Sequence, residues 1–245
     1  MKINVHAGHN PDGKVACGAV GHIKESTEAR TLKDKVINYL RKEKHTVYDC
    51  TCNTGTSKND VLAKIIDKCN DHDVDLDVSI HFNSGSSDPN KKTTGSEVYI
   101  YKKTSKAADE AARVCAKLEK IGFKNRGVKT STGLKFLNST KAPAMLIEVC
   151  FVDDKDDAEL YKKNIDNIAK GIAEAIINKT IASNYIVRIL KNMYVYASPG
   201  GAKTNTVLHT NEAYTITEDK KVGSETWGKL KSGAGWINLK NTKKI

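Results

Sequence analysis

The sequence changes its hydrophobic period once, near residue 180, and that change limits what the chain can fold into. Before it, short apolar runs alternate with segments whose apolar residues recur every three to four positions. Residues 2–6 read as a strand ending in Gly8-His9. Residues 25–42, with Leu32, Val36, Ile37 and Leu40 on one side, read as an amphipathic helix. A strand over 45–48 follows. Residues 57–69 then form a helix with Ser57 as N-cap, Asp60 three residues on, and Val61, Ile65 and Ile66 as its apolar face. Residues 76–82 and 96–101 are strands, and 104–121 are a helix closed by Gly122. The apolar run 144–151 is a buried strand, and 156–178 form the last helix. Strand and helix in alternation predict an α/β fold with a mostly parallel sheet and flanking helices.

Beyond residue 178 the pattern differs. Residues 179–184 read as a linker, and 185–245 hold only short alternating runs. These are separated by Ser-Pro-Gly-Gly (198–201), Glu-Asp-Lys-Lys (218–221) and Ser-Gly-Ala-Gly (232–235), each read as a turn. The expectation is an α/β domain over 1–178 and a small all-β barrel over 185–245.

No window approaches the roughly 18–20 apolar residues of a membrane span. The opening Met-Lys-Ile-Asn-Val-His-Ala-Gly-His lacks the long apolar stretch of a secretory leader. The expected product is made in the cytoplasm, without membrane insertion. Net charge is +11, of which residues 184–245 carry +6, from ten Lys/Arg against four Asp/Glu. Such a surface suits an anionic partner: nucleic acid, a membrane or a wall polymer. Only Arg30, Arg41, Arg113, Arg126 and Arg188 are arginines. Arginine is favoured for bidentate base and phosphate readout, so nucleic acid is disfavoured. The six cysteines lack zinc or redox spacing, Cys50-Thr51-Cys52 having one intervening residue, and read as reduced small hydrophobes.

Four residues stand where strands end or helices begin: His9, Glu25, His81 and Glu148. Ligand sites in open α/β sheets gather at strand carboxyl ends. Two imidazoles and one carboxylate are the ligand set of a catalytic zinc with one position left for water. The metal would lower the pKa of that water and polarise a scissile carbonyl. Glu148 lies inside an apolar run, where a carboxylate is costly to bury unless paired or near a metal. It is expected to accept the water's proton and pass it to a departing amine. A solitary histidine in a strand is more often a packed core residue, so the joint occurrence carries the reading. His6 is expected outside the ligand set, because residues three apart on a strand face opposite sides. His22 reads as a loop residue. Glu28 lies one helical turn after Glu25 on the same face, and the residues alone leave the choice between them open.

These residues sit in motifs that resemble the zinc-dependent N-acetylmuramoyl-L-alanine amidases: Gly8-His9, Glu25, Ser79-Ile80-His81-Phe82-Asn83 and Ile147-Glu148-Val149-Cys150-Phe151. Asn125-Arg126-Gly127-Val128-Lys129 and the segment 137–144 are similar too, so the resemblance covers residues 1–178. It implies one Zn2+ ion on His9, Glu25 and His81, the family's spacing favouring Glu25 over Glu28, with Glu148 catalytic. It implies peptidoglycan as substrate, cleaved at the amide between N-acetylmuramic acid and the first L-alanine of the stem peptide. Asn83 and Arg126 are the expected substrate contacts. Two departures, His6 where the family often has an acid and Asn10 where a glycine often follows the histidine, bear on the loop after the first strand.

Residues 185–245 resemble a bacterial SH3-like domain through Tyr185-Ile186-Val187-Arg188-Ile189, Thr226-Trp227-Gly228-Lys229-Leu230 and Gly235-Trp236-Ile237. That implies a cell-wall anchor; Trp227 and Trp236 read as barrel packing, with ligand platforms as the alternative. Together the two resemblances imply a phage endolysin acting on the wall of a Gram-positive host. The alternatives are a host autolysin of the same activity, a zinc peptidase on stem peptides, and a catalytically silent peptidoglycan-binding protein.

Overall fold

The computed structural model describes residues 1–85, 93–181 and 184–245. Residues 182 and 183 of the expected linker lie outside the described residues. The chain divides into two compact units, Met1–Lys179 and Thr180–Ile245. Among the described residues no helix is long and apolar enough to cross a membrane.

In the first unit the elements are β1 (Lys2–Ala7), α1 (Glu25–Lys42), β2 (Thr46–Asp49), α2 (Lys58–Asn70), β3 (Leu76–Asn83) and β4 (Ser96–Ile100). They continue with α3 (Ala108–Ile121), β5 (Asn125–Thr130), α4 (Lys135–Ser139), β6 (Ala144–Phe151) and α5 (Lys155–Ile177). The sheet order is β2-β1-β3-β6-β4-β5. β2, β1, β3 and β6 run parallel. β4 runs antiparallel to β6, and β5 runs parallel to β4. The sheet is therefore parallel-rich, as expected, with two reversed strands at one edge. A parallel return needs a crossover of a dozen or more residues, usually helical. The segment from β3 to β4 carries no helical period, and the chain comes back in the opposite direction.

Helices cover both faces. α1 and α3 both pack against α5 on one side. On the other, Val61, Ile65 and Cys69 of α2 and Phe136 and Leu137 of α4 close over Leu146 of β6. β6 is accordingly apolar on both faces, as a central strand must be. Ser57 caps α2 by accepting from the Asp60 N–H at 3.1 Å. α3 begins at Ala108 and not at 104, because Ser105 draws the preceding backbone into turns: its Oγ accepts from the Ala107 N–H, and its N–H donates to the Lys102 carbonyl. β5 escaped the period analysis because Asn125-Arg126-Gly127 breaks its apolar alternation. All six thiols are free, five of them buried.

The second unit contains β7 (Tyr185–Ile189), β8 (Met193–Tyr196), β9 (Lys203–Leu208), β10 (Ala213–Val222), β11 (Glu225–Leu230), β12 (Trp236–Asn238), a short 3-10 turn and β13 (Thr242–Lys244). They form one antiparallel sheet in the order β13-β7-β10-β11-β12-β8-β9. Val187, Ile189, Val195, Leu208, Ile216, Leu230 and Ile237 make its core. One expectation fails here. Residues 218–221 are no turn: Lys220 and Lys221 pair with Trp227 and Thr226 inside β10. The turn is Gly223-Ser224, where Gly223 takes a φ of 59°. A two-residue hairpin loop with glycine in a left-handed conformation matches the twist of the flanking strands better than the charged run does. Trp227 is 4% exposed and meets Tyr196 edge-on at 4.9 Å.

Candidate metal centre

The centre is assembled where β1 and β3 end and α1 begins. His9 lies two residues past β1 with a φ of 64°, a left-handed conformation that disfavours a side-chain-bearing residue. Arg30 of α1 holds it there, its guanidinium donating to the His9 carbonyl at 2.8 Å, the Cys52 carbonyl at 2.9 Å and the Ser26 carbonyl at 2.9 Å. Asn10, fully buried, ties down the rest of the loop by donating to the Val15 and Gly55 carbonyls and accepting from the Gly55 N–H.

Glu25 opens α1 and is 4% exposed. Its Oε1 lies 3.2 Å from His9 Nε2 and 2.9 Å from His81 Nδ1. The Phe82 N–H donates to the same oxygen at 3.2 Å, and the Ala19 N–H donates to Oε2 at 2.8 Å. The two imidazoles meet edge to face at 4.9 Å. Two glycines make room. A Cβ on Gly8 would stand 2.0 Å from the His81 ring, and one on Gly18, whose φ is 83°, would stand 2.5 Å from Glu25 Oε2.

One ligand atom each from His9, Glu25 and His81 fall within 4.8 Å of one another. Two imidazole nitrogens and one carboxylate oxygen form a donor set that fits zinc. Burial alone would raise the Glu25 carboxyl. The hydrogen bonds and charges of His81 and His9 overcome it and hold the group well below the usual carboxylate range, ready as an anion.

Glu148 of β6 stands in register with His81 of β3 on one side and Glu97 of β4 on the other. Its Oε2 is shut from solvent with no hydrogen-bond partner among the described residues. Burial pushes the carboxyl up to about 8, with Glu25 and Glu97 adding to the shift. A carboxyl in that range can both take and give a proton near neutral pH. His9, His81 and Glu148 share the wall of a cavity of about 270 Å³.

Among the residues weighed from sequence, Glu28 and His22 stay outside this cluster. His22 is exposed. The Tyr161 hydroxyl donates to the Glu28 backbone carbonyl at 3.3 Å. His6 is 1% exposed and also stays out, and burial, with the charge of His81 adding, drives its imidazole down to about 3. Asn83 and Arg126 turn onto a common partner. Asn83 Nδ2 donates to Glu97 Oε1 at 2.9 Å, and Arg126 Nε donates to Glu97 Oε2 at 2.8 Å. The Arg126 guanidinium also covers the Phe151 ring at 5.0 Å. Neither Asn83 nor Arg126 lines the cavity. Sequence reasoning missed Glu97, 2% exposed, and Arg30. The signal for Glu97 was a carboxylate inside the strand Ser-Glu-Val-Tyr-Ile, the same signal that singled out Glu148.

Fold and cluster together define an α/β unit with a two-histidine, one-carboxylate centre at the carboxyl ends of its strands. The chain belongs to the N-acetylmuramoyl-L-alanine amidase family Amidase_3, whose model matches residues 3–178. An uncharacterised protein of Clostridium perfringens (strain 13 / Type A) is 39% identical over 189 residues, 75% of this chain. The chain spans 54% and 63% of the length of two Clostridium perfringens relatives that it matches. The endolysin of Bacillus phage SPP1 is 30% identical over 264 residues, covering 93% of this chain and 92% of that protein. The catalytic domain of the CD27L endolysin, described as targeting Clostridia Difficile, is 34% identical with a TM-score of 0.67, over 74% of this chain and 99% of that one.

Proposed function

We propose that this protein is a zinc-dependent N-acetylmuramoyl-L-alanine amidase that cleaves the amide between N-acetylmuramic acid and the first L-alanine of peptidoglycan. The observation that carries the reading is one carboxylate oxygen of Glu25 within 3.2 Å of two imidazole nitrogens, with Glu148 in register beside His81. His9, Glu25 and His81 would hold one Zn2+. When bound, the ion would supply Lewis acidity toward water and the scissile carbonyl. Glu148 takes the proton from the attacking water and delivers it to the leaving amine of L-alanine. Glu25, kept anionic by its partners, adds negative charge where the cation would be held. Arg30, Gly8 and Gly18 keep the three donors converged.

The domain organisation follows: residues 1–178 as the catalytic domain, 179–184 as a linker and 185–245 as an SH3-like domain that binds the wall. A net +6 on the last segment suits an anionic wall polymer. Likeness to the phage SPP1 endolysin along nearly the whole of both chains supports an endolysin role against a Gram-positive host. Such a product is made in the cytoplasm and acts on the wall after release.

The test is purified protein on Gram-positive walls, with and without chelator, with the released ends read by mass spectrometry. Stem peptides beginning in free L-alanine, lost on chelation and restored by zinc, are the expected result. New ends elsewhere in the peptide would make the protein a peptidase. Absence of any metal-dependent cleavage would leave a binding protein.

A further inference from the structure

The cavity beside the triad continues down the sheet. His6 of β1, Ser79 of β3 and Leu146 of β6 form one row across three paired strands. Two residues further along β3 and β6, on the same face, stand His81 and Glu148. His6 and Ser79 are 1% and 0% exposed and both line the cavity. His6 Nε2 and Ser79 Oγ have no hydrogen-bond partner among the described residues. Each buried polar atom left so costs about 1–3 kcal/mol.

Their chemistry is complementary. His6 Nδ1 lies 3.2 Å from the Ala7 carbonyl, which can only accept, so Nδ1 carries the proton and Nε2 presents a lone pair. Ser79 presents a hydroxyl that can donate. An acceptor and a donor on neighbouring strands match the N–H and the C=O of a peptide group. Facing them, Phe136 of α4 and Ile65 of α2 make an apolar wall, with the His6 ring edge-on to Phe136 at 4.7 Å. At the rim stand Lys58 and Lys135, the first residues of α2 and α4. Both are exposed, and neither is in an ion pair among the described residues.

We propose that this cavity receives the peptide half of the substrate: His6 and Ser79 hydrogen-bond its first peptide group, the apolar wall takes a short side chain, and Lys58 and Lys135 bind a carboxylate on its second residue. Charge decides the orientation. The glycan half offers hydroxyl and acetamido groups without charge, whereas the stem peptide carries carboxylates. The assignment rests on the amidase reading and adds a specificity to it.

The experiment uses the full chain with zinc and two soluble glycan fragments whose stem peptides differ only at the second residue, with a free or an amidated carboxyl group. Wild type is expected to favour the free carboxylate in kcat/KM by about tenfold, the worth of two partly exposed ion pairs, and less at high salt. The double substitution Lys58→Gln, Lys135→Gln is expected to bring the ratio to about one. Ser79→Ala is expected to raise KM on both fragments several-fold while zinc content and the thermal midpoint hold. Equal rates on both fragments by wild type, or a double variant that slows both alike, overturn the subsite and leave the amidase standing. Release of peptide from neither fragment, with none from whole walls, overturns both.

Discussion

The two units treat buried polar groups in opposite ways. In Met1–Lys179, His6 Nε2, Ser79 Oγ and Glu148 Oε2 are shut from solvent without partners, and all three belong to residues lining one cavity. In Thr180–Ile245 the core is aliphatic, and among the described residues the one such atom is Trp227 Nε1. Orphaned polar atoms gathered around a cavity mark the place where a fold gives up stability to keep groups available for a ligand. The second unit has no such concentration among the described residues. There Tyr194 is 45% exposed, with Lys203 Nζ 4.5 Å from its ring centroid.

The contrast is broken most sharply at Glu25. Glu25→Ala removes the atom shared by both imidazoles, and the expected outcome is loss of bound zinc together with a fall in wall hydrolysis on the order of a thousandfold or more. Metal content by mass spectrometry and turbidity loss of walls measure the two together. A variant that kept full zinc would take Glu25 out of the ligand set. Glu148→Ala separates the roles: it should retain zinc and lose about a hundred- to ten-thousandfold in turnover, since it removes a proton carrier and no ligand. Turnover near wild type in that variant would refute the assignment of Glu148.

Much of this was legible in the sequence, for identifiable reasons. Glu25, His81 and Glu148 stand at element ends or in apolar runs where their residue types are conspicuous, and the structure brings His9, Glu25 and His81 within 4.8 Å. The parallel-rich sheet followed from alternating periods. The reversal of β4 and β5 did not, because strand direction depends on how the chain travels between strands and leaves no mark within them. Arg30 lay on the polar side of an amphipathic helix, indistinguishable from any solvated charge until its guanidinium met three carbonyls. Asn83 and Arg126, the expected substrate contacts, share Glu97 as a partner. One-dimensional spacing could not reveal that a third residue, on another strand, was their common partner. The charged run 218–221 imitated a turn by composition, while Gly223 supplied the conformation a turn requires.

The second unit supplies the next test. If the second unit binds the wall as proposed, removing residues 180–245 should leave hydrolysis of soluble fragments largely intact and reduce retention on insoluble walls on the order of tenfold or more, as expected when one of two linked binding modules is lost. Co-sedimentation with walls, read beside activity on fragments, gives both numbers. Undiminished retention would deny the second unit an anchoring role and move wall binding onto the first.

The smallest effect sharpens the comparison within the first unit. At the far end of the sheet from the triad, Asn4 and Asp77 form a second buried polar pair, Asn4 Nδ2 donating to Asp77 Oδ1 at 2.7 Å. Asp77 is 1% exposed, and burial raises its carboxyl from 3.8 to about 6. Neither residue lines the cavity. The folded state holds the Asp77 proton more tightly than the unfolded chain does. Its contribution is therefore most favourable below about pH 4 and is lost as pH rises through about 6. Asp77→Asn keeps an acceptor for Asn4 and cannot ionise. Between about pH 5 and about pH 7.5, wild type should lose about 1 kcal/mol of unfolding free energy relative to this variant, as measured by urea titration at each pH. Parallel stability curves would mean that Asp77 titrates normally and that the two ends of the sheet differ less than their burial implies.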